Sequence, residues 1–376
     1  MRKFITILIV LIALAVSGRA QQLQQYKYGL YDDYFTNPAY VGTPDYYTIM
    51  IGHDIKFAGI PVSPSTSFIG LHSRVGKGYI FAKDGKVNKF FSKFGSSAFG
   101  FQGLIYNFGP QYEYNFGLTY GYHLDLSPNI NTKLPRKLIL AFTPRLTMMN
   151  FDRSKFYYNN GDPILNYDGD DLINSPQDDY FHMNFKFDVG ALYQSVYYDL
   201  GISWLNFTNT HNAYESDTIK YGTGGYSIYD SIYSSLIALN GKLKFIRLFD
   251  DRKFDVNFIP DFTFIYKPNS RDFEIKADMR FDLNLYNIIT SSRKELLYNI
   301  QGGANFMYTN FYRNNFNIQP YILFDFYNFK IQYTYVVRIP NKSLGWGGNQ
   351  ITFIYAIGRD NVLRVSDKSR MPRKRQ

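Results

Sequence analysis

The 376-residue chain contains no cysteine. Disulfide staples, thiol catalysis, thiolate metal sites and a lipid anchor on an N-terminal cysteine are excluded together. Beyond residue 20 no window approaches the eighteen or so apolar residues that a spanning helix requires, and no convincing helical period appears. Walker, GxSxG and HExxH motifs are missing as well, so nothing points to an enzyme or calls for a cofactor.

What is present begins with a leader. Met1-Arg2-Lys3 is positive, Phe4 to Val16 is almost wholly apolar, and Gly18 and Ala20 are small. This is the plan of a secretory signal peptide over 1–20, with cleavage expected between Ala20 and Gln21. The formal net charge of +10 invites a nucleic-acid reading, but its location argues against one. Three of the positive charges leave with the leader, and the tail from Gly358 to Gln376 is strongly basic, so the body between is nearly neutral. A basic tail on a neutral body is a solvated terminus rather than a nucleic-acid groove.

The composition is rich in aromatics, with 35 Tyr and 34 Phe against 29 Gly and 15 Pro. From Tyr112 to Leu126 every even position is apolar or aromatic, while the odd positions run Glu113, Asn115, Gly117, Thr119, Gly121, His123, Asp125. From Phe273 to Leu285 the alternation returns with charges: Glu274, Lys276, Asp278, Arg280 and Asp282 lie between apolar residues. A period of two describes a strand between two environments. Similar segments fall at 46–54, 65–73, 97–106, 136–151, 183–195, 197–206, 234–246, 254–266, 296–307, 317–326, 329–339 and 349–357, which makes about fourteen. Many reach the nine to eleven residues of a tilted strand crossing a bilayer, well above the five or six of soluble strands.

Export, strand length and aromatic content together predict an all-β fold, an antiparallel outer-membrane β-barrel over 46–357 with both termini periplasmic. An N-terminal periplasmic segment, 21–45, precedes it and the basic tail, 358–376, follows. Long connections at 152–182 and 207–233 then fall outside the cell, whereas the long basic stretch 76–97 falls in the periplasm. The competing architectures are a large soluble sandwich or a propeller, the latter weakened by the lack of a fixed-period repeat.

Candidate chemistry is sparse. His53, His72, His123, His182 and His211 keep no metal-ligand spacing, and His53 and His123 read as structural groups facing the lumen. The sequence DGDD at 168–171 has the oxygen ligands of a calcium loop without EF-hand spacing, and reads as an acidic solvated loop. The GTGG of Gly222 to Gly225 lacks phosphate-loop context, and Asp217-Thr218-Ile219 and Asp230-Ser231-Ile232 match a weak O-glycosylation pattern. Glu274, Asp278 and Asp282 alternate with Lys276 and Arg280, so they read as paired lumen lining.

The stretch FTNPAYVGT, Phe35 to Thr43, resembles the opening of the PorP/SprF family of Bacteroidota outer-membrane proteins, through Asn37, Pro38, Ala39, Tyr40 and Gly42. Gly59 and Pro61 with Pro64 and Thr66 are similar to that family's turn ahead of its second strand. Phe99 to Leu124 resembles its next two strands, through Gly109, Pro110, Tyr120 and Tyr122. Two features depart from the pattern: His53-Asp54-Ile55-Lys56 stands where the family often has Arg-x-Gln-Trp, and the basic tail is long.

The resemblance implies a part in type IX secretion and gliding motility. The implied role is to hold a secreted surface protein such as an adhesin through loops 152–182 and 207–233, or to meet periplasmic machinery through 76–97 and the tail. It implies no active site, and the partners would be outer-membrane lipid and protein, not nucleic acid. The rival reading is a channel for small or hydrophobic solutes. For the N-terminal segment 21–45, two readings stand, a brace at the inner rim, which is favoured, and a short plug.

Overall fold

The computed structural model describes residues 33–44, 46–56, 64–75, 97–108, 111–126, 136–151, 180–207, 235–244, 246–251, 253–268, 272–290, 293–310, 315–326, 328–339, 348–357 and 362–364. The leader and its cleavage site, Gly59, Pro61, Gly109, Pro110, DGDD, GTGG, both glycosylation patterns and most of the loops and tail lie outside these residues.

Sixteen strands are described. They are β1 (Tyr47–Lys56), β2 (Ser65–Arg74), β3 (Ser97–Phe108), β4 (Gln111–Asp125), β5 (Lys137–Phe151), β6 (Tyr180–Gln194), β7 (Tyr198–Leu205), β8 (Leu236–Leu243), β9 (Ile246–Asp250), β10 (Phe254–Lys267), β11 (Asp272–Thr290), β12 (Arg293–Thr309), β13 (Asn315–Phe326), β14 (Phe329–Ile339), β15 (Gly348–Ile357) and β16 (Val362–Arg364). Neighbours in the sheet are neighbours in sequence and antiparallel throughout. β15 pairs with β1, and β11 pairs with β12, so the ring closes. Fourteen strands form the wall; β9 continues the stave of β8 along β10, and β16 adds to β12 beyond the end of β13.

The alternation decides which solvent the wall faces. In β4, Leu118 is 64% exposed and Tyr120 and Tyr122 are exposed, whereas Glu113, Asn115, Thr119 and His123 are buried. β6 and β7 repeat the pattern, with Phe185, Leu200, Ile202 and Trp204 outward and Asn184, Lys186, Asp188 and Ser203 inward. A soluble protein would bury the first set and wet the second. An apolar surface continuous around a closed wall far exceeds the few hundred Å² that soluble monomers tolerate. The outer face is therefore the membrane face, and closure leaves no strand edge unpaired in the hydrocarbon.

Tyr47 opposes Ile357 in the closing pair, so the wall begins and ends at one end of the barrel, called here the terminal end. The connections from β5 to β6 and from β7 to β8 leave and return at the opposite end. At the terminal end the turn from β6 to β7 is tight. Ser195 N–H donates to the Tyr198 carbonyl at 2.9 Å, and the Ser195 hydroxyl accepts from Tyr198 N–H at 3.0 Å.

Two ladders skip residues at a proline and keep their register, whereas true register shifts lie after Val256 in β9–β10 and after Leu285 and Ile288 in β11–β12. The β4–β5 ladder runs to Gly117 opposite Arg145 and resumes at Tyr120 opposite Phe142, leaving Pro144 and Thr143 out. The β13–β14 ladder runs to Ile318 opposite Val337 and resumes at Tyr321 opposite Thr334, leaving Pro320 out. Proline has no N–H to give a ladder, and Pro260 of β10 likewise stands in a gap on its β8–β9 side, between Asp261 opposite Lys242 and Phe258 opposite Ile246.

The structure differs from the sequence reading in three local ways. The expected strand 234–246 is broken between Leu243 and Ile246, giving β8 and β9. Within the tail expected to be solvated, Val362–Arg364 pairs with Arg293–Glu295. His53 faces outward rather than into the lumen, because it shares the phase of Ile51 and Ile55; its Nδ1 lies 2.9 Å from the Ser67 hydroxyl.

Candidate functional site

The segment before β1 is folded by its own sequence. Asp33–Phe35 and Pro38–Tyr40 form 3-10 turns. Asn37 between them is extended, φ −145° and ψ 111°, as the residue before a proline must be. Its side-chain oxygen accepts from Ala39 N–H at 2.9 Å, and Pro38 takes the first position of the turn, where no N–H is needed. Val41 N–H donates to the Pro38 carbonyl at 3.0 Å, and Gly42 turns the chain at φ +63°. Only glycine adopts that conformation readily, and a Cβ on Gly42 would also sit 2.6 Å from the Ala98 Cβ.

The turns lie against inward-facing residues of β1 to β8. Tyr34, Ala39, Tyr40 and Val41 pack on Ala98, Ile139, Ala141 and Leu192, while Phe35 packs on Met50, Phe68 and Leu104. The rings of Phe35 and Phe68 meet edge to face at 5.7 Å. Polar groups of the wall answer the backbone of the turns. Gln102 Nε2 donates to the Tyr34 carbonyl at 2.8 Å, and the Ser203 hydroxyl donates to the Thr36 carbonyl at 2.7 Å. Gly42 N–H donates to His72 Nδ1 at 3.2 Å, and His123 Nε2 lies 3.0 Å from the Val41 carbonyl. Asn37 Nδ2 reaches the carbonyls of Ala191 and Ile202, each at 3.4 Å. Lys242 pairs with Asp33 at 3.2 Å and stands 3.7 Å from Asp261.

Four inward-facing glycines make room for these contacts. A Cβ on Gly100 would lie 2.1 Å from the Tyr34 hydroxyl, and one on Gly121 would lie 2.3 Å from Val41 Cγ1. On Gly190 it would lie 2.2 Å from Asn37 Oδ1, and on Gly201 it would lie 2.6 Å from Asn37 Nδ2. The cradle is thus written into β3, β4, β6 and β7 and matches Tyr34, Asn37 and Val41 atom by atom.

Around the cradle the lumen is polar and cross-linked. Arg145 is held by Asp188, with Nε donating at 2.9 Å, and its Nη2 donates to Gln102 Oε1 at 3.1 Å. Asp188 also accepts from Asn206 N–H at 2.7 Å. An unbroken chain of hydrogen bonds therefore joins Asp188 through Arg145 and Gln102 to Tyr34. Across the barrel, Tyr321 donates to Asp278 at 3.0 Å, Arg280 Nε lies 3.3 Å from Asp282, and Lys330 pairs with Asp325 at 3.3 Å. Glu274 and Asp282 are buried on the same inner face.

The residues singled out in the sequence therefore separate. Asn37, Pro38, Ala39, Tyr40 and Gly42 meet the inner wall, Thr66 and Pro64 are buried at the start of β2, and Tyr120 and Tyr122 point into the membrane. Sequence reasoning missed Tyr34, Gly100, Gly190, Gly201, Arg145 and Asp188. One signal was available: Leu138-Ile139-Leu140-Ala141-Phe142 is apolar on both phases, the mark of a strand covered on both faces. Among the described residues, no group of three or more His, Asp or Glu side chains is placed to hold a metal ion.

The model of the family described as type IX secretion system membrane protein PorP/SprF matches residues 18–355. No curated protein matches the chain in sequence. Among solved structures it is similar to the CymD monoaromatic hydrocarbon channel, at 10% identity over 87% of this chain and 93% of that one, with a TM-score of 0.42. It is also similar to a Pseudomonas aeruginosa FadL homologue, at 11% identity over 87% and 93%, TM-score 0.35. A bacterial polysaccharide outer membrane secretin shares 7% identity over 83% and 99%, TM-score 0.33. At such TM-scores these likenesses add nothing to what the wall itself establishes.

Proposed function

The chain belongs to the PorP/SprF family of type IX secretion system membrane proteins, and on that premise we propose that it is a non-enzymatic outer-membrane barrel that anchors a secreted surface protein. The loops at the end opposite the termini, 152–182 and 207–233, face outward and hold the cargo. The terminal end, with 76–97 and the basic tail, faces the periplasm and meets the secretion or motility machinery.

In this reading the segment from Asp33 to Pro44 is a plug. The observation that carries the reading is the cradle: inward-facing residues of β1 to β8 are occupied by the chain's own turns, through Tyr34, Phe35, Asn37 and Val41. A lumen spent on holding its own N-terminal segment favours work at the two ends over passage through the middle.

The test is deletion of the gene in its native host, followed by analysis of surface and medium. Release of one large surface protein into the medium is the expected result. Unchanged surface display of every type IX cargo would sink the anchoring role, and loss of all type IX secretion would replace it with a general export role.

A further inference from the structure

Among the described residues Asn206 is the one non-glycine residue with left-handed backbone, at φ +54°. It stands just past β7 at the end of the barrel away from the termini, where the connection 207–233 begins. Asparagine reaches this conformation more readily than most residues, yet it persists only where the surroundings hold it. Here they hold it from both sides of the wall. Inside, Asn206 N–H donates to Asp188 Oδ1 at 2.7 Å. Outside, Phe207 N–H donates to the Phe187 carbonyl at 3.0 Å, and its ring lies 6.0 Å from Phe187 and 5.9 Å from Trp204.

The Asp188 carboxylate divides its two oxygens between two partners. Oδ1 serves Asn206, and Oδ2 accepts from Arg145 Nε at 2.9 Å. Arg145 Nη2 reaches Gln102 Oε1 at 3.1 Å, and Gln102 Nε2 donates to the Tyr34 carbonyl at 2.8 Å. β4 lies between Arg145 and Gln102, and the residue opposite both is Gly117, so the two side chains meet over a stave that carries none. All five residues from Asn206 to Tyr34 are buried, where hydrogen bonds polarise one another.

We propose that this chain is a relay coupling the far end of β7 to the seat of the N-terminal turns. It has two arrangements. With Asn206 left-handed, its N–H occupies Oδ1, and the Arg145 fork keeps one arm on Gln102. With Asn206 drawn out, Oδ1 loses its donor, and the planar guanidinium turns to take both carboxylate oxygens, the favoured bidentate pairing. Gln102 then loses Arg145, and the Tyr34 carbonyl is less firmly held. Such coupling is reciprocal, so unseating the turns also frees Asn206. A second contact runs along β7 itself, through the Ser203 hydroxyl on the Thr36 carbonyl, and the experiment separates the two routes. The relay stands on the barrel alone; that a protein held by 207–233 pulls on it rests on the anchoring role.

Amide exchange of the purified full chain in mild detergent, read by mass spectrometry, tests the relay without any cargo. Asn206→Pro removes the donor and cannot adopt a positive φ. Exchange across Asp33–Gly42 is expected to accelerate about tenfold, within the range of coupled sites. Asn310→Pro is the control, a comparable change at the same end of β12, where Asn310 N–H donates to the Phe273 carbonyl at 3.2 Å. It should leave exchange in the turns unchanged. Gln102→Leu cuts the relay at its other end and should raise exchange at Asn206 and Phe207 by a similar factor. Adding Asn206→Pro to Gln102→Leu should then change the turns little further. Unmoved turns in Asn206→Pro overturn the relay, as does equal acceleration by both prolines. Fully additive effects of Asn206→Pro and Gln102→Leu also overturn it, and assign the coupling to β7. Should Asn206→Pro lack the gel shift of a folded barrel, Asn206→Val takes its place, since a β-branched residue resists positive φ while keeping the N–H.

Discussion

Gly190→Ala is the sharpest probe of the cradle. The substitution adds one methyl group to a strand that tolerates alanine, so the wall itself has no reason to fail. That methyl would stand 2.2 Å from Asn37 Oδ1, 3.0 Å from Pro38 Cγ and 3.1 Å from Ala39 N. Asn37 cannot simply rotate away, because Oδ1 is committed to Ala39 N–H and Nδ2 faces the carbonyls of Ala191 and Ile202. Overpacking of this kind typically costs about 1–3 kcal/mol. Charged to the seated state alone, that raises the unseated fraction about 5- to 150-fold. The chain's lack of cysteine supplies a clean assay. Thr36→Cys, a near-isosteric change at a buried position, is labelled with a bulky maleimide in the folded barrel, with and without Gly190→Ala. Labelling should accelerate by that factor in the double variant. Gly302→Ala is the control, since a Cβ there meets nothing within 4 Å. Equal labelling rates in all three proteins would refute the idea that Gly190 is kept small for Asn37.

Other consequences can be checked in the same preparations. Arg145→Ala strands the buried Asp188 carboxylate and should lower stability by about 3–5 kcal/mol, read as a fall in the urea midpoint of the gel-shifted form. Ile202→Arg places a charge on the membrane face at mid-strand and should cost about 2–4 kcal/mol in refolding into vesicles. Lys242→Met leaves the Asp33 and Asp261 carboxylates facing each other, so maleimide labelling at residue 36 should rise, and added salt should shrink the effect. Amide exchange at Leu118, whose N–H faces β5, should exceed that of Phe116 and Tyr120, which face the same way; uniform protection of these three would contradict the lapse at Pro144.

The wall was legible because period two reports environment directly. Ser65, Ser97 and Phe254 start strands where the alternation starts, and Phe326 and Ile339 end them where it ends. Which phase faces out does not follow from alternation alone; export and strand length supplied it. The break after Leu243 was hidden because Lys244 and Phe245 keep the alternation, and the outward turn of His53 because one polar residue on an apolar phase is locally silent. The cradle was harder still. Gly100, Gly121, Gly190 and Gly201 look like ordinary strand glycines until the turns from Asp33 to Gly42 are laid against them. Those contacts join residues between 59 and 164 positions apart, which no local pattern encodes. The motif from Asn37 to Gly42 stood out in the sequence for a reason now visible: a cap, a first-turn proline, a small packed residue and a left-handed glycine build one compact shape.

Two of the prolines at which the ladder lapses stand on β5 and β13, seven staves apart in either direction around the ring. A ring of fully laddered strands resists bending equally at every joint. One with soft joints on opposite sides has a preferred axis of flattening, like a hoop hinged at two points.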